Sequence, residues 1–91
     1  MVELRLEEVL DLGAAAKLRD DLLERRGAAL HVDASAVGHL GAQCAQVLLA
    51  AAAAWAADGM PLAFAAPSEP FERGARLLGL QHTLSAKGSP E

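Results

Sequence analysis

Short apolar segments alternate with longer helical segments along this chain, and that alternation restricts the fold to an α/β arrangement. Residues 2–6 place apolar and charged side chains at alternate positions, which predicts a half-buried strand at a sheet edge. Residues 28–32 predict a buried central strand, and residues 62–66 predict a second buried strand. A further short strand is expected within residues 9–12.

The helical segments carry their own start and stop signals. Asp11 is predicted to cap the first helix, whose apolar positions recur at helical spacing until Gly27 ends it. The second helix is predicted over residues 42–58. Ser68 is predicted to begin the third helix, because an acid and a proline follow it directly, and Gly79 to end it.

Length, charge and cysteine content narrow the class of protein. The 91 residues suffice for one domain, predicted over residues 1–84, with a loose tail over residues 85–91. The net charge of -4 argues against nucleic acid or an anionic membrane as partner. The single cysteine cannot form an internal disulfide. No signal peptide is visible, and the longest apolar stretch, residues 47–57, is too short for a membrane span, so we expect a cytoplasmic protein.

The second predicted helix has two contrasting faces. At about 100° per residue, one face is predicted to lie in the core. It comprises Cys44, Leu48, Ala51, Ala52 and Trp55. The other face is predicted to meet water although it carries no charge. It comprises Gln43, Gln46, Ala50, Ala53, Ala54 and Ala57. Such a face favours contact with a partner, but alanine is also simply a good helix former, so both interpretations stay open.

The segment from Leu30 to Leu49 resembles the central motif of the STAS family, the domain of bacterial anti-sigma-factor antagonists. Asp33, Ser35 and Val37 fall on the D-x-S-x-V positions of that motif. The resemblance extends to the first helix, to the strand that leads into the third helix, and to a terminal leucine-glycine-leucine. It implies a small STAS-like mixed β-sheet of about four strands, with the helices packed mainly on one face.

The chain departs from that family motif at the start of the second helix. STAS proteins that are switched by phosphorylation carry an Asp-Ser pair where this chain has Gly41 and Ala42, and Cys44 replaces a glycine of the motif. The resemblance therefore implies a variant without the phosphorylated serine. The sequence around these positions also resembles small STAS proteins associated with bacterial chemotaxis kinases.

Chemical roles for the polar residues of this segment are weaker interpretations. Asp33, Ser35 and His39 lie on one predicted loop, but a catalytic triad also needs an oxyanion site, which nothing here supplies. Asp33 is predicted instead to brace the loop by accepting backbone donors. Cys44 and His39 are too few ligands for a metal site, and Cys44 is predicted to lie in the core. We therefore expect no catalytic residue, metal or cofactor.

The predicted function is non-enzymatic protein binding through the loop and the helix start around residue 42. The proposed contact residues are Ser35, Gly38, His39, Leu40, Gly41, Ala42, Gln43 and Gln46. The resemblance implies a histidine-kinase-like partner, either an anti-sigma factor or a chemotaxis kinase. Two alternatives stay open, namely an accessory subunit of a lipid-transport ATPase and a small-ligand or nucleotide-binding domain. The sequence also leaves a homodimer open.

Overall fold

The computed structural model describes residues 2–84, so the predicted tail over residues 85–91 lies outside the described residues. A short 3₁₀ turn over Leu12–Ala14 precedes the first α-helix. In chain order the other elements are β1 (Val2–Arg5), β2 (Val9–Leu10), α1 (Ala15–Glu24), β3 (Leu30–Asp33), β4 (His39–Leu40), α2 (Ala42–Ala57), β5 (Leu62–Ala65) and α3 (Glu69–Leu77).

The strands form two groups, and every described pairing is parallel. The main sheet has three strands in the order β1-β3-β5, so β3 is central and β1 lies at an edge, as predicted. Its register pairs Leu4 with Val32 and Val32 with Phe64. The short strands β2 and β4 form a separate parallel pair. The α/β class predicted from the alternation of segments is confirmed, and four of the five described strands coincide with predicted ones.

The helices cover one face of the main sheet. Leu4, Val32 and Phe64 on that face are at most 6% exposed. Glu3 and His31 lie on the opposite face, are exposed and half-buried respectively, and approach each other to 3.3 Å. This division follows from strand geometry, since successive side chains point to opposite faces. It agrees with the expectation that the helices pack mainly on one side.

The buried face of α2 differs from the prediction at one position. The buried residues of this helix are Cys44, Ala45, Leu48, Ala51 and Trp55. Ala45 thus takes the place predicted for Ala52, which is half-buried because it lines an open groove of about 450 Å³ between α2 and β5. No helix within residues 2–84 combines the length and the apolar character needed to cross a membrane.

The predicted helix signals are confirmed in part. Helix α3 begins at its Ser68 cap, but α1 ends at Glu24, three residues before Gly27, and its own N-cap, Ala14, makes no side-chain hydrogen bond. The Asp11 carboxylate accepts a hydrogen bond from the Ala14 amide at 3.2 Å, which caps the 3₁₀ turn that leads into α1. Ser68 caps α3 by accepting from the Phe71 amide at 3.1 Å. Gly59 follows α2 with a φ of 69°, a conformation that is cheap for glycine and disfavoured for other residues.

Candidate partner-binding site

The segment between β3 and α2 is held in place by β2. The Glu8 carbonyl accepts hydrogen bonds from the amides of Gly38, at 2.7 Å, and His39, at 3.1 Å. The Leu10 carbonyl accepts another from the Gly41 amide at 2.8 Å. The predicted loop over residues 33–41 therefore contains the short strand β4. Sequence periodicity could not reveal it, because two residues are too few to show an alternation.

Asp33 braces the beginning of this segment, as predicted. Its carboxylate accepts a hydrogen bond from the Ser35 amide at 2.9 Å. This backbone bond is the largest cause of a lowered pKa at Asp33, with smaller contributions from the Ser35 hydroxyl and the charge of Arg5. This contact gives Asp33 a structural role in the turn. The carboxylate accepts from the backbone amide of Ser35, which is not the hydrogen bond of a catalytic triad.

Titration of Asp33 is expected to report on this turn. Because hydrogen bonding stabilises the carboxylate in the folded state, Asp33 contributes stability above the ordinary pKa of 3.8, and that contribution disappears as the pH falls through the lower folded-state pKa. In a pH series of amide NMR spectra, we expect the Ser35 amide to shift with a midpoint below 3.8. An Asp33→Asn variant should remove this transition. A midpoint at or above the ordinary value would contradict the bracing role.

Helix α3 supports the same segment from the other side. The Ser68 hydroxyl donates a hydrogen bond to the Val37 carbonyl. Gly74 lies so close to β4 that a Cβ atom on it would come within 3.0 Å of the Leu40 Cβ and 3.2 Å of the Leu40 carbonyl oxygen. Leu40 itself is only 6% exposed. Its role is therefore to hold the segment against the core, which corrects its place among the predicted contact residues.

The first turn of α2 presents small and neutral groups. Gly41 is the N-cap and has no side chain to cap the helix. A Cβ atom at Gly41 would lie 3.0 Å from the Leu10 carbonyl oxygen, so any larger residue would require β2 to shift. Ala42, Gln43 and Gln46 are exposed. The start of α2 is thus accessible and free of charged side chains.

The structure brings most of the predicted contact residues to one region. Gly38, His39 and Gly41 are anchored along β2, and Ala42, Gln43 and Gln46 follow on α2. All are exposed except Gly41, which is half-buried. Ser35 is also exposed, but it is held at the end of β3 by its own bond to Asp33. We use the name α2-start surface for Gly38, His39, Gly41, Ala42, Gln43 and Gln46.

Cys44 lies directly beneath the α2-start surface and belongs to the core, as predicted. It is 0% exposed, and its Sγ donates a hydrogen bond to the Asp11 carbonyl at 3.3 Å. The first turn of a helix generally lowers the pKa of a thiol. Here burial raises the pKa of Cys44, and the negative charges of Asp11 and Glu7 act in the same direction. The thiol therefore serves packing and is not an activated nucleophile.

Sequence reasoning missed a groove that continues from the α2-start surface. The groove measures about 340 Å³ and runs between α1 and α2. Leu23, which the sequence analysis did not single out, is 57% exposed there beside Arg19. The sequence contained one indication of it. Leu23 follows Leu22, and two adjacent leucines make the apolar face of α1 wider than the part that is buried in the core.

Comparison with models of known protein families identifies a family for this chain. A family model described as "Mlab, STAS domain" matches residues 1–86. A search of curated proteins found no match, and a search of solved structures found none. The family match covers the strands, the helices and the whole α2-start surface.

Proposed function

The chain belongs to the STAS domain family, and on that premise we propose that it is a cytoplasmic protein-interaction module that binds a histidine-kinase-like ATPase. The partner would be an anti-sigma factor or a chemotaxis kinase. The α2-start surface would form the contact, and no phosphoserine would regulate it. STAS domains are generally non-enzymatic and are similar to anti-sigma-factor antagonists, which supports a binding role.

The observation that carries this proposal is the accessibility of the first turn of α2. Ala42 and Gln43 are exposed, although Cys44 and Ala45, the next residues, are fully buried. The helix therefore begins at the surface and enters the core within one turn. A partner can reach the position that carries the phosphorylated serine in switched STAS proteins.

The chemistry of the surface favours a protein partner. Ala42 is exposed and carries only a methyl group, so another backbone can approach the start of α2 closely. Gln43 and Gln46 offer both donors and acceptors without requiring an opposite charge. The surrounding segment is fixed by β2 and α3 before binding, so little conformational entropy is lost on association.

The absence of a hydroxyl at position 42 removes the usual means of regulation. A phosphate there would add up to two negative charges at the first turn of α2 and at the contact itself. Ala42 cannot accept a phosphate because it has no hydroxyl. The aspartate of switched STAS proteins would not fit at position 41 unless β2 shifted, because its Cβ would lie 3.0 Å from the Leu10 carbonyl oxygen. We therefore expect that phosphorylation at position 42 does not regulate the contact.

An Ala42→Asp variant tests the proposal by adding the missing charge. We expect the dissociation constant for the ATPase partner, first identified by pull-down from native lysate, to rise at least about 100-fold, equivalent to about 2.7 kcal/mol. The measurement is isothermal titration calorimetry. The fold should persist, because a negative charge in the first turn of a helix interacts favourably with the helix dipole.

The matched control is Ala42→Asn, which nearly matches aspartate in size but adds neither a charge nor a hydroxyl that could be phosphorylated. It should bind within about threefold of the unchanged protein, a difference under about 1 kcal/mol. Equal affinity of the Ala42→Asp variant and the unchanged protein would exclude the α2-start surface as the contact.

A further inference from the structure

Two helical stripes form the walls of the groove between α1 and α2. Members of each stripe recur at the spacing of one helix face, so each wall runs along its helix. From α1 they are Arg19, Leu22 and Leu23, followed by Arg26 in the turn after α1. From α2 they are Gln43, Gln46, Val47, Ala50, Ala51, Ala54 and Trp55. We call this the α1–α2 groove. It shares Gln43 and Gln46 with the α2-start surface.

The two helices lie side by side and run in the same direction. At one end, Cys44 near the start of α2 bonds to Asp11, just before α1. At the other end, the Arg26 guanidinium donates two hydrogen bonds, at 2.8 and 3.1 Å, to the Asp58 carboxylate after α2. Between these ends the α2 wall extends from Gln43 to Ala54, which is about 16 Å at 1.5 Å per residue.

Most of the side chains that line the groove between the two arginines and the two glutamines are apolar, and several are accessible to water. Leu23 is 57% exposed, Ala50 is exposed, and Val47 and Ala54 are half-buried. The other described residues, 2–84, leave more than half of the Leu23 side chain in contact with water. Leaving this apolar surface in water is unfavourable, and covering it would contribute free energy to association.

Charge distinguishes the groove from the rest of the chain. The chain has a net charge of -4, yet the charged residues that line the groove are two arginines. The Asp58 carboxylate already neutralises Arg26. Within the part of the chain that the structure describes, Arg19 pairs with Asp20 at 3.7 Å. Both side chains are about two-thirds exposed, and such a pair is weak. Arg19 therefore remains available to an incoming carboxylate.

We propose that the α1–α2 groove receives an amphipathic helix of the partner protein, whose apolar side chains cover Leu23 and Val47 and whose flanking acidic residue pairs with Arg19. The groove is about 16 Å long, lies between two parallel helices and has an apolar lining. Grooves of this kind bind an amphipathic helix whose apolar side chains recur every three or four residues. This inference rests on the proposed function, since the same partner would contact the α2-start surface.

Two pairs of matched variants test the groove with the partner used for the Ala42 variants. Ala50→Glu places a charge in the groove. Ala53→Glu makes the same change at an exposed position of α2 outside this groove. We expect the first to raise the dissociation constant at least tenfold and the second to change it less than threefold. Arg19→Glu should weaken binding more than Arg76→Glu, an exposed position on α3, and its effect should shrink as salt is added.

The occupant itself is identified by photocrosslinking. A photoreactive phenylalanine at position 23 should link to a segment of the partner with apolar residues at helical spacing and flanking acids. A link to a second copy of this chain, or to a basic or non-helical segment, would overturn the proposal. So would equal effects of Ala50→Glu and Ala53→Glu.

The two proposals fail in different ways. If Ala42→Asp abolishes binding while Ala50→Glu does not, the α2-start surface stands and the groove is not a docking site. If Ala50→Glu abolishes binding while Ala42→Asp does not, the groove stands and the proposed contact around residue 42 is wrong.

Discussion

Replacement of Trp55 by alanine is expected to lower the free energy of unfolding by about 3 to 5 kcal/mol, the usual range for removing a large buried aromatic side chain. Trp55 is 2% exposed, and its indole Nε1–H donates a hydrogen bond to the Ala28 carbonyl at 2.8 Å. It therefore joins the last turns of α2 to the chain just before the central strand β3. The variant loses both the packing and this connection.

Urea denaturation followed by circular dichroism measures this loss. Fluorescence is unsuitable because Trp55 is the only tryptophan. The matched variant Trp55→Phe keeps an aromatic ring but removes the donor, and we expect a smaller loss of about 1 to 2 kcal/mol. A Trp55→Ala variant that lost less than about 1 kcal/mol would show that the core does not depend on this anchor.

The second large effect is expected at Phe71, which fastens α3 to the sheet. Phe71 is 0% exposed, and its ring centroid lies 6.1 Å from that of Phe64 on β5. A Phe71→Ala variant should lose about 3 to 5 kcal/mol of unfolding free energy. Because α3 also carries Ser68 and Gly74, which hold the segment that contains Val37 and Leu40, hydrogen exchange in residues 35–40 should accelerate.

Leu77 provides the control on the same helix. It is 81% exposed, so Leu77→Ala should change the unfolding free energy by no more than about 0.5 kcal/mol. Its hydrogen exchange in residues 35–40 should match that of the unchanged protein. If Phe71→Ala destabilised the protein without affecting that segment, α3 would not be its support.

The α2-start surface and the α1–α2 groove adjoin each other, because Gln43 and Gln46 belong to both. In the proposed function, the α2-start surface would be the contact, and phosphorylation at position 42 could not alter its charge because Ala42 has no hydroxyl. The α1–α2 groove would add apolar contact area and one cation, Arg19.

Sequence patterns predicted the strands of the main sheet, the start of α3 and the loop brace. The alternation over residues 2–6, the Ser68 cap and the Asp33 contact with Ser35 all depend on neighbours within a few positions. The family resemblance drawn from the segment between Leu30 and Leu49 agrees with the family match over residues 1–86. It did not reveal that Leu40 is buried.

The sequence by itself determined the three helices, the strands other than β4 and most of the apolar face of each element, because these properties follow from periodicity and from short-range hydrogen bonds. Only the tertiary structure decided that Glu8 on one side and Ser68 on the other fix the segment before α2. It also decided that α1 and α2 lie parallel with an open groove between them. Those features depend on contacts between residues that are far apart in the sequence, and the spacing of neighbouring residues carries no information about such contacts.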